Sequence, residues 1–337
     1  MGLVVLALLA PCAARAEDGG RLDGFNIIES PRHPFGSPPA TLAMRQARDL
    51  GARALAIVPF LWQASPQSAV VVRGNDMSDD ELRAAIRAAH ELGMAAVVKP
   101  HVWVPGSWAG AVEPASEEGW QDWFKSYGEA LTQIAHVAAE EKAEALVIGT
   151  ELLKTTVRPE WSGAIAQVRA IYSGNLLYVA QNIDEASRVP FWPQLDAIGI
   201  SLYPSLGPDD DRDGRLKIMQ QTGDALDQLA ARFDKPVIVG EVGLRSAEGA
   251  AAKPWESAEE RAAAPDTLLQ AAVIADWMRV LHRPSVKGVL VWRWFSDPQA
   301  GGPNDTDFTV QGKPASGVLL CAWKLGCDNR CTGTRTH

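Results

Sequence analysis

The sequence has no basic run, no internal repeat at the period of a solenoid and, after its first residues, no apolar segment long enough to span a membrane. The formal net charge is −9 over 337 residues. Because no stripe of Lys or Arg could follow a phosphate backbone, nucleic acid is a poor partner. A chain that is 47% hydrophobic and 22% charged is neither disordered nor fibrous. We therefore expect a globular protein with one large core, acting on a neutral rather than an anionic substrate.

The first residues have the features of a secretory leader. Leu3 to Ala10 form an apolar run too short to cross a bilayer, and Ala14-Arg15-Ala16 before Glu17 is a small-residue cleavage pattern. We predict a signal peptide over residues 1–16, a mature chain over 17–337, and a secreted or periplasmic location. Lipid anchoring at Cys12 is the alternative, although Pro11 makes a poor lipoprotein box.

Cysteine is scarce, with four in the chain. Once the leader is removed, Cys321, Cys327 and Cys331 remain, clustered at the C-terminus. In an exported protein we expect two of the three to form a disulfide bond. A metal site is less favoured, because His337 is the one further ligand nearby. The sequence does not decide which two pair.

Short β-rich runs alternate with longer helical patterns along the chain. Eight runs are apolar almost throughout, as is typical of parallel strands buried on both faces: Gly24–Glu29, Ala54–Phe60, Met94–Trp103, Ala145–Glu151, Leu176–Gln181, Leu195–Tyr203, Pro236–Val242 and Gly288–Trp294. Helical spacing separates most of them, and Ser78-Asp79-Asp80-Glu81 predicts a helix start. Residues 184–192 leave little room for a helix. Eight βα units predict a closed (β/α)8 TIM barrel in a single domain.

Catalytic groups in such barrels lie where strands end in their C-terminal loops. Glu151 and Glu241 end the fourth and seventh strands, which lie across the barrel mouth from one another. Glu151 follows the apolar run from Ala145 to Ile148, and burying an unpaired carboxylate there would cost free energy. Retaining glycosidases need two converging carboxyl groups, one protonated and one ionised. We therefore predict that Glu151 and Glu241 are the catalytic pair.

The same rule selects groups that could contact a sugar. Indole and phenol rings match the C–H faces of pyranoses, and polar side chains at strand ends can bond hydroxyl groups. The predicted substrate-binding residues are Lys99, His101, Trp103, Asn182, Tyr203 and Trp292. His101 could instead be a buried structural histidine. Among the other tryptophans, we assign Trp62, Trp108 and Trp294 to the rim, and Trp123 and Trp277 to the core.

We predict no metal and no cofactor in the chemistry. Asp297, Asn304, Asp305 and Asp307 lie in a Gly- and Pro-rich loop that could hold calcium, but such residues more often form turns.

Four motifs together resemble glycoside hydrolase family 113, a β-mannanase family of the large retaining (β/α)8 clan. They are Lys99-Pro100-His101, Gly149-Thr150-Glu151-Leu152, Gly240-Glu241-Val242-Gly243, and the block from Trp292 to Pro298, which continues to Phe308. The resemblance implies β-1,4-mannan as substrate, Glu151 as acid/base, Glu241 as nucleophile and retention of configuration. The clan usually has Asn where this chain has Thr150, which leaves the contact to the sugar 2-hydroxyl unassigned.

Two alternatives remain open at this point. The barrel could hydrolyse or transglycosylate another β-glycan, or it could bind carbohydrate without catalysis. The two carboxylates argue against the second, because a binding protein needs the aromatic side chains alone. In each case the expected partner is a polysaccharide or oligosaccharide, and we predict a monomer.

Overall fold

The computed structural model describes residues 20–325. The predicted signal peptide, Cys12, Cys327 and Cys331 lie outside this range. The strands are β1 (Gly24–Ile28), β2 (Ala54–Ile57), β3 (Phe60–Gln63), β4 (Val71–Arg73), β5 (Ala95–Val98), β6 (His101–Trp103), β7 (Ala145–Thr150), β8 (Asn175–Ala180), β9 (Ala197–Leu202), β10 (Val237–Val242) and β11 (Val286–Phe295). The helices are α1 (Pro38–Asp49), α2 (Asp79–Glu91), α3 (Glu117–Glu140), α4 (Trp161–Arg169), α5 (Ile183–Ala186), α6 (Arg212–Phe233), α7 (Thr267–Val280) and α8 (Pro314–Leu320).

Eight strands form a closed parallel barrel in the order β1-β11-β10-β9-β8-β7-β5-β2. Every residue of β1, β2, β7, β9 and β10 is buried, which explains why these segments are apolar throughout rather than alternating. Helices follow the strands around the outside and bury their apolar faces against the barrel. The predicted (β/α)8 architecture is confirmed.

The second and third predicted strands were too long. β2 ends at Ile57 and β5 at Val98, and Pro59 and Pro100 follow shortly after each. Proline has no backbone N–H to donate to the ladder, so neither strand continues in the barrel. The chain instead resumes as β3 and β6, which pair with each other in parallel, while β4 pairs with β3 in antiparallel fashion. The result is a separate three-stranded sheet that the sequence did not predict.

The short unit between the fifth and sixth barrel strands is confirmed as an incomplete crossover. It contains only the four-residue helix α5 and a 3-10 turn at Trp192–Gln194. At the other end of the described chain, α8 continues into a π-helical turn at Cys321–Leu325. Cys321 is disulfide-bonded.

Several local predictions agree with the structure. Ser78 caps α2, and Glu81 bonds back to the Ser78 backbone in a capping box. Trp123 and Trp277 are buried in the core as expected. No helix within residues 20–325 is both long and apolar enough to cross a membrane.

Candidate active site

Glu241 lies on β10 with both carboxylate oxygens bound. The ammonium group of Lys99, which follows β5, forms an ion pair with Oε1, and the Tyr203 hydroxyl donates to Oε2 at 3.1 Å. Lys99 is fully buried and Glu241 is 5% exposed. A buried carboxylate that is bound by a cation and a phenol is fixed in position.

The backbone beneath Glu241 is irregular. The register of β10 shifts against β9 between Val239 and Glu241, and it also shifts against β11. The side-chain amide of Asn26 donates to the carbonyl oxygens of Gly240 at 2.9 Å and Leu290 at 3.1 Å. Asn26 therefore ties β1 to β10, which carries Glu241, and to β11, which carries Trp292. Sequence reasoning missed it, although it is the one polar residue in the strand Gly24–Ile28.

Glu151 follows β7 in the left-handed backbone region, with φ of 56°. Non-glycine residues rarely adopt this conformation, and such residues cluster at functional sites. The Glu151 N–H donates to the Val179 carbonyl at 2.8 Å, which fixes the turn. The side chain is partly exposed, as expected for a group that must reach a substrate.

The environment of Glu151 favours its protonated form. Burial, followed by the charge of Glu241, raises its pKa to about 8, while the Ser201 hydroxyl and the charge of Lys99 act in the opposite direction. Ser201 is itself fully buried, and its hydroxyl lies beside the Glu151 carboxyl group. At neutral pH the site thus combines a protonated carboxyl group with a second carboxyl beside an ammonium, a division of roles typical of acid and nucleophile.

His101 and Trp292 complete the surroundings of this pair. Burial and the neighbouring charge of Lys99 lower the pKa of His101 to about 4, so its imidazole is neutral. Its Nδ1 is buried and has no partner within the described chain. The ring of Trp292 lies 5.3 Å from the Lys99 ammonium, and the peptide bond between Trp292 and Arg293 is cis. The structure therefore gathers four of the predicted site residues around the two carboxylates: Lys99, His101, Tyr203 and Trp292.

Other predicted residues differ in their surroundings. Trp103 is 50% exposed on β6, whereas Asn182 caps α5 by accepting from the Glu185 N–H at 2.9 Å. A sugar-binding role for Asn182 stays a prediction. The rim assignment of Trp294 was wrong, because the ring is buried against Phe25 and its Nε1 donates to the Ala43 carbonyl of α1.

Thr150, which stands where the clan usually has Asn, forms a local hydrogen bond. The Thr150 hydroxyl donates to the Pro100 carbonyl at 3.1 Å and links β7 to the turn after β5. Thr150 is 1% exposed, and its hydroxyl is engaged with the backbone of the protein.

The acidic loop after β11 is organised by a lysine. The buried Lys313 ammonium contacts Asp305 Oδ1 at 2.5 Å and the Asp307 carbonyl at 2.9 Å. Asp307 also forms an ion pair with Arg293, next to Trp292. Among residues 20–325, no group of three or more His, Cys, Asp or Glu side chains is placed to hold a metal ion.

A parallel barrel with a protonated and a paired carboxyl at its strand ends is the arrangement that glycoside hydrolases use. The chain belongs to glycoside hydrolase family 113, whose model matches residues 26–313. The family predicted from the four motifs is confirmed.

Solved structures of the same family resemble this one over most of their length. The β-mannanase AaManA from Alicyclobacillus acidocaldarius, in complex with ManMIm, is 25% identical, with a TM-score of 0.81 over 91% of this chain and 98% of that one. A second GH113 β-1,4-mannanase is 26% identical, with a TM-score of 0.80 over 90% and 98% of the two chains. A β-glucuronidase from Ruminococcus gnavus, 12% identical with a TM-score of 0.61, covers 90% of this chain and 50% of its own and shares the fold. No curated protein sequence matches the chain.

Proposed function

We propose that this protein is a retaining β-mannanase that hydrolyses β-1,4-linked mannan, with Glu151 as acid/base and Glu241 as nucleophile. The observation that carries the proposal is the unequal environment of the two carboxyl groups. Glu151 has a raised pKa, and Glu241 is held by Lys99 and Tyr203. The substrate is supported by the two β-mannanases that share the fold over nearly their whole length.

The first step forms a covalent intermediate. A Glu241 oxygen attacks the anomeric carbon, the glycosidic bond breaks, and the Glu151 proton passes to the departing oxygen. Glu241 becomes an ester and loses its negative charge. The charge of Glu241 raises the pKa of Glu151, so its loss lowers that pKa. Glu151 therefore stays ionised after it has given up its proton.

The second step reverses the roles. Ionised Glu151 removes a proton from water, the water oxygen attacks the anomeric carbon, and the Glu241 carboxylate departs with the electron pair of the ester bond. Lys99 and Tyr203 stabilise the carboxylate as it reforms. Two inversions return the original anomeric configuration, and Glu151 is protonated again for the next cycle.

The substrate contacts follow from the same positions. Neutral His101 can exchange hydrogen bonds with sugar hydroxyl groups, and the Trp292 ring can support a pyranose face beside the carboxylates. Trp103 and Asn182 would act further from the centre. We also propose export through a leader at residues 1–16 and action as a monomer. N-terminal sequencing of exported protein and light scattering in solution would test these two points.

Product analysis on β-1,4-manno-oligosaccharides tests the activity. The wild type should release shorter oligosaccharides, and Glu241→Gln should release none. Glu151→Ala should lower turnover of oligosaccharides by roughly 10²–10⁴-fold, because general acid catalysis contributes that much. The same variant should retain turnover of an aryl β-mannoside whose leaving group needs no proton.

Glu129→Gln, an exposed change on α3, is the matched control and should behave as wild type. Equal losses of Glu151→Ala on both substrates would contradict the acid/base assignment. Release of products from β-glucan but not from mannan would move the substrate to another β-glycan.

A further inference from the structure

The three-stranded sheet formed by β4, β3 and β6 has one apolar face that remains exposed. Residues paired across strands share a face, and the pairs are Phe60 with His101, Trp62 with Trp103, and Trp62 with Val72. Trp62 is 37% exposed, Trp103 50% and Val72 51%. One side of this sheet thus combines three aromatic rings with a histidine of the active site.

The opposite face of the sheet packs against the protein interior. Leu61, Gln63 and Val102 alternate with the exposed residues and are buried. The Gln63 side-chain oxygen accepts from the indole of Trp123 on α3 at 2.7 Å. Because strand residues alternate between faces, this packing fixes which side chains point outward.

The exposed rings form a continuous path to the catalytic carboxylates. Ring centroids are 6.3 Å apart for Trp62 and Trp103, 5.9 Å for Trp103 and Phe60, and 6.1 Å for Phe60 and His101. His101 in turn lies close enough to Glu241 for the carboxylate charge to act on its pKa. The path therefore begins at the nucleophile and ends at Trp62 on β3, the central strand of the sheet.

Trp62 is held in place without a substrate. Its indole N–H donates to Asp76 Oδ1 at 3.0 Å. A Cβ atom added at Gly74 would lie 2.2 Å from the indole nitrogen and 2.4 Å from the neighbouring ring carbon, so the ring is seated against the backbone at Gly74. A ring that is fixed beforehand loses little entropy when it binds.

We propose that the face formed by Phe60, Trp62, Val72 and Trp103 is an extended binding platform for the same β-linked glycan chain that enters the catalytic site. This inference rests on the proposed function and deepens it, since the platform selects long chains. Apolar rings that continue directly from the carboxylates match successive C–H faces of one polysaccharide. The platform is remote from bond cleavage, so it contributes affinity for long substrates and little to the chemistry of short ones.

Chain-length dependence tests the platform. Trp62→Ala should lower kcat/KM for β-1,4-mannohexaose by about tenfold, the effect of losing one buried apolar contact of ordinary strength. Turnover of 4-nitrophenyl β-mannoside should change less than about twofold, because that substrate does not extend beyond the centre. Fluorescence titration of Glu241→Gln with mannohexaose should show a Kd about tenfold weaker when Trp62→Ala is added.

Gly74→Ala provides a second variant that keeps the indole but displaces it, and it should reproduce the selective loss on mannohexaose. Gly163→Ala, where an added Cβ meets nothing within 4 Å, is its control. Equal changes on the long and short substrates, or an unchanged Kd for mannohexaose, would overturn the platform.

Failure of the proposed function gives a different result. Wild-type protein would then cleave neither substrate, and the platform would be tested by gel retardation in soluble mannan and in mixed-linkage β-glucan. Retardation of the wild type that is lost in both Trp62→Ala and Gly74→Ala would keep the platform, and its absence in both polymers would overturn it.

Discussion

Replacing Glu151 by Gln should stabilise the fold at alkaline pH while it removes activity. Burial raises the pKa of Glu151 from about 4.5 to about 8, whereas the same group in the unfolded chain titrates near its ordinary value. Between these two values the folded state binds a proton that the unfolded state does not. Stability therefore falls as pH rises through this window, and the penalty is complete above about pH 8.

The magnitude follows from the same values. At 1.36 kcal/mol per pH unit of difference, the upper limit of the penalty is about 5 kcal/mol. Glu151 is partly open to the cleft, so solvent screening reduces the effect, and we expect about 2–3 kcal/mol. Glutamine has nearly the same shape and no charge to desolvate, so Glu151→Gln removes this penalty.

Urea denaturation at pH 5 and pH 9 measures the effect. The gain in unfolding free energy for Glu151→Gln over wild type should be small at pH 5 and reach about 2–3 kcal/mol at pH 9. Glu129→Gln on the exposed surface of α3 corrects for the general effect of removing a carboxylate. A gain of the same size at both pH values would refute the raised pKa and with it the assignment of Glu151 as the protonated partner.

Two further changes probe how Glu241 is held. Tyr203→Phe removes the 3.1 Å hydrogen bond to Oε2, and the loss of one bond to a charged group should lower kcat by roughly 10–100-fold in steady-state assays with little change in folding. An unchanged kcat would show that the phenol is not needed to position the nucleophile. Lys99→Met leaves the Glu241 charge buried without its partner, and urea denaturation should show a loss of about 3–5 kcal/mol at neutral pH. The exposed Lys217→Met is the control, and equal stability of both variants would contradict a tightly held ion pair.

Sequence patterns predicted the barrel well because each strand is buried on both faces, so its apolar run is almost unbroken. They selected Glu151 and Glu241 as the candidate catalytic pair because position at a strand end restricts the choice to a few residues. The three-stranded sheet was missed because the segments around Pro59 and Pro100 are apolar on both sides of the proline, and hydropathy alone merges them. Asn26 was missed for a different reason: its role depends on carbonyl groups more than 200 residues away in the chain.

The same two prolines connect the fold to the chemistry. By ending β2 and β5 in the barrel, they release two neighbouring segments that pair again above the barrel rim as β3 and β6. Lys99 immediately precedes one of these breaks and reaches Glu241, while His101 immediately follows it and begins the exposed aromatic path. A strand that continued without interruption would place Lys99 and His101, which are two residues apart, on the same face of the barrel wall. The break at Pro100 instead allows Lys99 to point into the barrel mouth and His101 to join a second sheet, so that one tripeptide serves both the nucleophile and the glycan platform.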